Sequence, residues 1–251
     1  METLKGKTAL VTGGSRGIGA AIAYALANAG AMVAITYAAQ ERLARNVVRE
    51  IEASGGEAIA LRVDVRRKAQ IDAAVRAVVR KQGRLDILVN NAGIWKRGAM
   101  GKMTERQWDE TIDVNLKGTF LFSSAVLPVM RRQKGGKIIN IASTAGQRGE
   151  PFYSHYAASK GGVIAFTKAI AVELARDNII VNCVAPGWVD TDMTAEELRK
   201  PGLQAEVRRT IPRGRVARPD EIAGAVLFLA SPSSDHLLGT TISINGGSVL
   251  V

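Results

Sequence analysis

Short runs of β-branched and apolar residues alternate along the chain with alanine-rich segments in which apolar positions recur every three or four residues. The runs are "TALVTG", "MVAITY", "EAIALRVDV", "LDILVNNAG", "GKIINIAS", "IIVNCVAP" and "TTISINGG". Between them, helical spacing covers Ala20 to Ala29, Leu43 to Ala53 and Ile71 to Gln82. Strands that alternate with helices of this length predict βαβ units. The predicted fold is α/β: one doubly wound Rossmann-like sheet of seven parallel strands, covered by helices on both faces. Asp190 to Arg218 is the least regular stretch and carries Pro201 and Pro212, with Pro219 just beyond. An excursion of that length past a strand end is expected to be a substrate loop or lid.

Composition narrows this picture. A chain of 251 residues, 47% of them hydrophobic, can bury one full α/β core, so a single domain over residues 1–251 is expected. No apolar run reaches the ~18 to 20 residues that span a bilayer. The opening "METLKGKTALVTGG" leads into a strand without a signal-peptide pattern. The one cysteine, Cys183, lies in an apolar run and is expected to be a buried, inert thiol. A soluble cytoplasmic protein is the expectation. The 34 Lys and Arg against 23 Asp and Glu give a net charge of +11. With 5% aromatics and no Arg-rich tail, this charge reads as a solvated face, not a nucleic-acid surface.

In an open parallel sheet, ligands bind beyond the carboxyl ends of the strands, so the residues there are the candidates for chemistry. After the first run come Gly13, Gly17 and Gly19, then a helix. Glycines permit a tight turn and close backbone approach, and a helix N-terminus offers free N–H groups to a pyrophosphate. The common Gly-x-Gly-x-x-Gly fingerprint does not fit, because Ile22 takes its last place. At the end of the second run, where an NAD site has an acid for the ribose, Tyr37 stands instead. Ser15 and Arg16 in the turn can meet a 2′-phosphate, so NADP is expected over NAD.

"FYSHYAASKGG" supplies the next candidate. Tyr156 and Lys160 lie four apart and share one face of a helix, whereas Tyr153 has Ala157 at that spacing. Alone, the pair also reads as a packed tyrosine beside a solvated lysine. Ser143 follows the fifth run, and Asn90 to Gly93 ("NNAG") end the fourth.

In this order the glycine turn, "NNAG", Ser143 and Tyr156-x-x-x-Lys160 resemble the short-chain dehydrogenase/reductase family over essentially the whole chain. Asp64 and Val65, Asn115 in "VNL", and "PGWVDT" from Pro186 to Thr191 extend the resemblance. It implies a catalytic set of Asn115, Ser143, Tyr156 and Lys160. Tyr156 would donate a proton to a carbonyl oxygen that Ser143 polarises, and Lys160 would favour the tyrosinate. Bringing a tyrosine down by about three pKa units takes roughly 4 kcal/mol. Asn115 would hold a water linking Lys160 to solvent. The resemblance further implies cofactor contacts at Gly13, Ser15, Arg16, Gly17, Ile18, Gly19 and Tyr37. It adds Asp64 and Val65 at the adenine and Asn90, Asn91, Ala92 and Gly93 beneath the ribose. Gly187, Val189 and Thr191 would hold the carboxamide, and Tyr156 and Lys160 would also touch the cofactor. His155 and His236 make no metal site, and none is assigned.

Within the family, "VTGGSRGIG", "IPRGRVARPDEIAGAVLFLAS" and "ISINGG" resemble the β-ketoacyl-[acyl-carrier-protein] reductases. That implies NADPH-dependent reduction of a 3-oxoacyl thioester, with an acidic acyl carrier protein as partner to the basic surface. Two departures stand against it: His155 where those enzymes commonly place Asn, and the bulkier "GQRGEPFYSHY" with Trp95 and Trp188 near the substrate mouth. The alternatives are a dehydrogenase of a sugar, cyclic or secondary alcohol, and a dinucleotide-binding sensor or structural subunit. The resemblance also implies a homotetramer built on the helices near Asn115 to Met130 and Tyr156 to Ala175.

Overall fold

The structure is a computed structural model and describes residues 4–200 and 202–251; Met1 to Thr3 and Pro201 lie outside the described residues. Seven strands form one parallel sheet: β1 (Thr8–Val11), β2 (Met32–Tyr37), β3 (Ala58–Arg62), β4 (Ile87–Asn90), β5 (Gly136–Ile141), β6 (Ile179–Pro186) and β7 (Thr241–Ile244). Their spatial order is β3-β2-β1-β4-β5-β6-β7, and every pairing is parallel. The chain winds outward from β1 to β3, then crosses back to β4. The switch point therefore opens between the carboxyl ends of β1 and β4.

The helices are α1 (Gly17–Asn28), α2 (Glu41–Ala53), α3 (Lys68–Gln82), α4 (Glu105–Ile112), α5 (Gly118–Arg132), α6 (Thr144–Arg148), α7 (Ser154–Leu174), α8 (Asp192–Leu198), α9 (Leu203–Thr210) and α10 (Pro219–Ala230). Strand side chains alternate between two cores. Ala9, Val11, Val33, Ile35 and Val184 pack with Ile22, Leu26, Val47 and Val226 of α1, α2 and α10. Leu10, Leu88, Ile138 and Val181 face the other way, onto Val75, Phe122, Val126 and Leu174 of α3, α5 and α7. Each such side chain, withdrawn fully from water, contributes roughly 1.5–3 kcal/mol before ordering costs. Burial on both faces is why these strands read as continuous apolar runs and not as alternating ones.

Three helices begin two or three residues earlier than their apolar spacing suggests. The N-cap residues Arg16, Gln40 and Arg67 make no side-chain cap, so no sequence signal marks those starts. The stretch from Asp190 to Arg218, expected to be irregular, holds α8 and α9. These helices are short and polar, and Val207 and Ile211 are the fully buried side chains among those described there. Backbone bonds between Ala217 and both Trp188 and Asp190 close the base of the excursion. Among the described residues, no helix is long and apolar enough to cross a membrane.

Candidate active site

A cavity of about 520 Å³ runs along the carboxyl ends of the strands, from the turn after β1 to the segment after β6. The turn needs its glycines for two reasons. Gly13 and Gly17 have φ of +64° and +54°, and a Cβ on Gly19 would lie 2.5 Å from Asn91 Nδ2 and press on the Gly13 carbonyl. Gly14, which sequence reasoning passed over, is needed as well: a Cβ there would lie 2.6 Å from Ile35. The turn is pinned from the β4 side. Asn91 and Ala92 donate their backbone N–H groups to Thr12 Oγ1, both at 2.9 Å, and Asn91 Nδ2 donates to the carbonyls of Thr12 and Gly13. Asn91 therefore reaches the cavity as part of the cradle, with its amide engaged. Asn90 turns inward, donating to Ser123 and Asn140, and does not line the cavity.

The other expected cofactor residues all line the cavity. Ser15, Arg16, Ile18 and Tyr37 stand at one end, followed by Asp64, Val65, Ala92 and Gly93, then Gly187, Val189 and Thr191. α1 begins there with no capping side chain and no acid in its first turn, which leaves its N–H groups open. Asp64 is held by Arg66 at 2.7 Å, and that guanidinium keeps its carboxyl below the ordinary range. Arg16, expected to face a phosphate, reaches Asp192 of α8 at 3.4 Å and remains half exposed.

Ser143 caps α6, and Tyr156 lies in the first turns of α7. They meet because Gly146 and Gly161 let the two helices touch: a Cβ on Gly146 would lie 2.5 Å from the Lys160 carbonyl carbon. The Ser143 hydroxyl lies close enough to the Tyr156 phenol to act on its proton. Lys160 is buried and donates to the Ile141 carbonyl at 2.7 Å, with Nζ 5.9 Å from the Tyr156 ring centroid. Asn115 lies in a single wide π turn (Asp113–Lys117) between α4 and α5, as such bulges often do at functional sites. Its amide accepts from Ile94 N–H at 2.8 Å and donates to Ile94 O and Ser159 Oγ, both at 3.0 Å. The Asn115 side chain thus clamps the loop after β4 from behind and does not itself line the cavity.

The electrostatics differ from the sequence expectation. Burial pushes Tyr156 up to about 12; the nearby Ser143 hydroxyl pulls the other way and the Glu150 carboxylate adds to the rise. Burial also brings Lys160 down to about 8. A lysine turned to a backbone carbonyl inside the protein pays its own desolvation before it can help a neighbour. Tyr153 packs under Trp95, with ring centroids 4.5 Å apart and planes 10° from parallel. His155 is buried, neither ring nitrogen has a partner among the described residues, and burial favours its neutral form. Cys183 is buried as expected, and burial raises its thiol to about 11.

A family model described as enoyl-(acyl carrier protein) reductase matches residues 13–248. The chain is 44% identical, over the full length of both, to a 3-oxoacyl-[acyl-carrier-protein] reductase of Synechocystis. The chain belongs to the short-chain dehydrogenase/reductase family. A 3-oxoacyl-[acyl-carrier-protein] reductase of Staphylococcus aureus is 43% identical over 96% of this chain and 97% of its own. Among solved structures, a candidate gluconate dehydrogenase of Agrobacterium tumefaciens superposes with a TM-score of 0.95 at 36% identity, covering 99% of this chain and 98% of its own. A dehydrogenase/reductase of Sinorhizobium meliloti does so with a TM-score of 0.90 at 40% identity, over 99% and 97%. As a member of this family the protein is an oxidoreductase, similar to the 3-oxoacyl-[acyl-carrier-protein] reductases.

Proposed function

We propose that the chain is an NADPH-dependent carbonyl reductase that converts a 3-oxoacyl thioester, delivered by an acidic acyl carrier protein, to the 3-hydroxyacyl form. The observation that carries the reading is the meeting of the Ser143 and Tyr156 hydroxyls, with Lys160 one turn along, in the same cavity as the glycine turn. The named activity of the relatives from Synechocystis and Staphylococcus aureus supports the choice of substrate.

The residues present fit a nicotinamide dinucleotide. The uncapped start of α1, with Gly13, Gly17 and Gly19 before it, suits a pyrophosphate. Tyr37, Ala38, Ala39 and Gln40 line the cavity past β2 without a carboxylate, and Arg16 stands within the turn, which suits a 2′-phosphate. Asp64, Val65 and the Asn91–Gly93 turn would receive the adenosine, and Gly187, Val189 and Thr191 the carboxamide. When bound, the reduced cofactor supplies a hydride to the carbonyl carbon. Ser143 donates to the carbonyl oxygen and polarises it. Tyr156 gives its hydroxyl proton to that oxygen, which completes the alcohol, and the positive charge of Lys160 compensates the tyrosinate left behind. Asn115 holds the Ile94 backbone so that this end of the cavity keeps its shape. Asp190 to Arg218 serves as the substrate lid. Phe120 on α5 and Val172 on α7 are exposed, which supports self-association through those helices as a homotetramer.

The test is NADPH oxidation with acetoacetyl thioester, beside crotonyl thioester and simple ketones, with NADH in parallel. Turnover of the acetoacetyl compound with NADPH preferred is expected, and Tyr156→Phe should lower it about 10³-fold while NADPH still binds. Turnover of crotonyl thioester alone would replace ketone reduction by enoyl reduction. Retained activity in the Phe variant would remove Tyr156 from the chemistry. A second reading, reduction of a hydroxylated ketone, is favoured by the Trp95, Trp188 and Glu150 lining.

A further inference from the structure

Beside the Ser143–Tyr156 pair, the cavity is lined by Trp95, Trp188 and Glu150. Trp95 is fixed on both sides, stacked on Tyr153 and met edge-on by Trp188 at 5.6 Å. Its indole N–H donates to Glu150 Oε2 at 3.3 Å. The three other acids that line the cavity each have a cation: Asp64 has Arg66, Glu110 has Lys96, and Asp192 has Arg16. Glu150 has no ion pair among the described residues, and Arg148 acts on it only through its field. It is also partly withdrawn from water, which holds its carboxyl above the ordinary range. A carboxylate in that position is costly unless donors meet it, and a single indole bond leaves acceptor capacity over. Glu150 moreover lines the same cavity as Ser143 and Tyr156.

We infer that Glu150 is a specificity-determining residue: its carboxylate accepts a hydrogen bond from a hydroxyl on the carbon next to the substrate carbonyl, so the site selects α-hydroxy ketones over isosteres without that hydroxyl. Trp95 and Trp188 give the carbon skeleton an apolar wall, and the carboxylate gives it one polar anchor, the usual division of labour in a small-molecule site. The same charge disfavours a substrate with its own carboxylate at that place. This inference rests on the second reading above, reduction of a hydroxylated ketone, and not on the thioester.

The experiment compares kcat/KM for 2-hydroxycyclohexanone and 2-methylcyclohexanone, which match in shape and differ in the donor. The wild-type ratio is expected to favour the hydroxyl by at least about tenfold, as for a bond to a charged group. In Glu150→Ala the ratio should fall to within about threefold of one, and in Glu150→Gln, which keeps a neutral acceptor, it should lie between. Because the ratio is taken within each variant, a general loss of activity cancels. A wild-type ratio near one, or an unchanged ratio in Glu150→Ala, overturns the inference. Indole fluorescence read during titration with trans-1,2-cyclohexanediol and with 2-methylcyclohexanol gives a second measure that needs no turnover. Tighter diol binding that disappears in Glu150→Ala supports the role of Glu150 even if neither ketone is reduced, a result that would sink only the carbonyl-reductase reading. Equal binding of diol and methyl alcohol in the wild type overturns the inference.

Discussion

Lys160 Nζ donates to the Ile141 carbonyl oxygen at 2.7 Å, at the carboxyl end of the strand that leads into Ser143. That bond ties the cation of α7 to the sheet and fixes where its charge lies relative to Tyr156. Burial, not that bond, brings the Lys160 ammonium down to about 8, so Lys160 and not Tyr156 is the group that titrates near neutrality.

The pH profile follows with a definite sign. Burial holds the phenol of Tyr156 protonated to about pH 12, so the proton donor is present throughout the working range. Lys160, brought down to about 8, is charged below that pH and neutral above it. Compensation of the tyrosinate needs the charged form. For reduction, kcat/KM should be level from pH 6 to about 7 and fall with an apparent pKa near 8. A profile level to pH 10 would contradict this.

The same shift makes Lys160 costly to the fold. Its pKa falls from 10.5 to about 8 on folding, so between those values the unfolded chain binds the proton more strongly. Stability from this group is lowest below pH 8 and recovers as the pH rises to about 10.5. The cost at pH 7 is about 3 kcal/mol, less what the Ile141 bond returns. Lys160→Met should thus unfold in urea at or above the wild-type midpoint at pH 7, with the difference shrinking by pH 10. Activity should be lost in the same variant. A midpoint well below wild type at pH 7 would show that the Ile141 bond outweighs the desolvation.

Asn115 offers a contrast, because its amide satisfies both backbone groups of Ile94. Asn115→Ala leaves a part-buried N–H and C=O unpaired and should cost about 2 kcal/mol in denaturant. It should also slow turnover, since Ile94 and the neighbouring Gly93 and Trp95 line the cavity. Undiminished stability would mean that water replaces the amide.

Gly19→Ala tests the cradle. The new methyl would meet Asn91 Nδ2 and the Gly13 carbonyl, and backbone cannot step aside as a long side chain can. NADPH affinity, read by nucleotide fluorescence, should fall at least about tenfold, with about 1–3 kcal/mol lost from stability. Wild-type affinity would show that the turn has slack the contacts do not suggest.

The frame of the molecule was legible along the chain. Seven apolar runs became the seven strands, and the central ones are continuous because both faces of the sheet are buried there. The strand-end rule then singled out Gly13 to Gly19 and Ser143, and the family resemblance added Gly187 to Thr191 beyond the sixth strand; the winding of the chain puts those ends together whatever their side chains. The four-residue spacing likewise put Tyr156 and Lys160 on one face of α7. Tertiary structure alone decided how these groups are held. The clamp of Asn115 on Ile94, the bond from Trp95 to Glu150, the reach of Arg16 to Asp192 and the contact of Gly146 with Gly161 join residues far apart in sequence. No periodicity records such pairs. The protonation of Tyr156 and Lys160 was equally out of reach, because it depends on how much water the folded protein leaves around each group, a property of the packed interior and not of spacing along the chain.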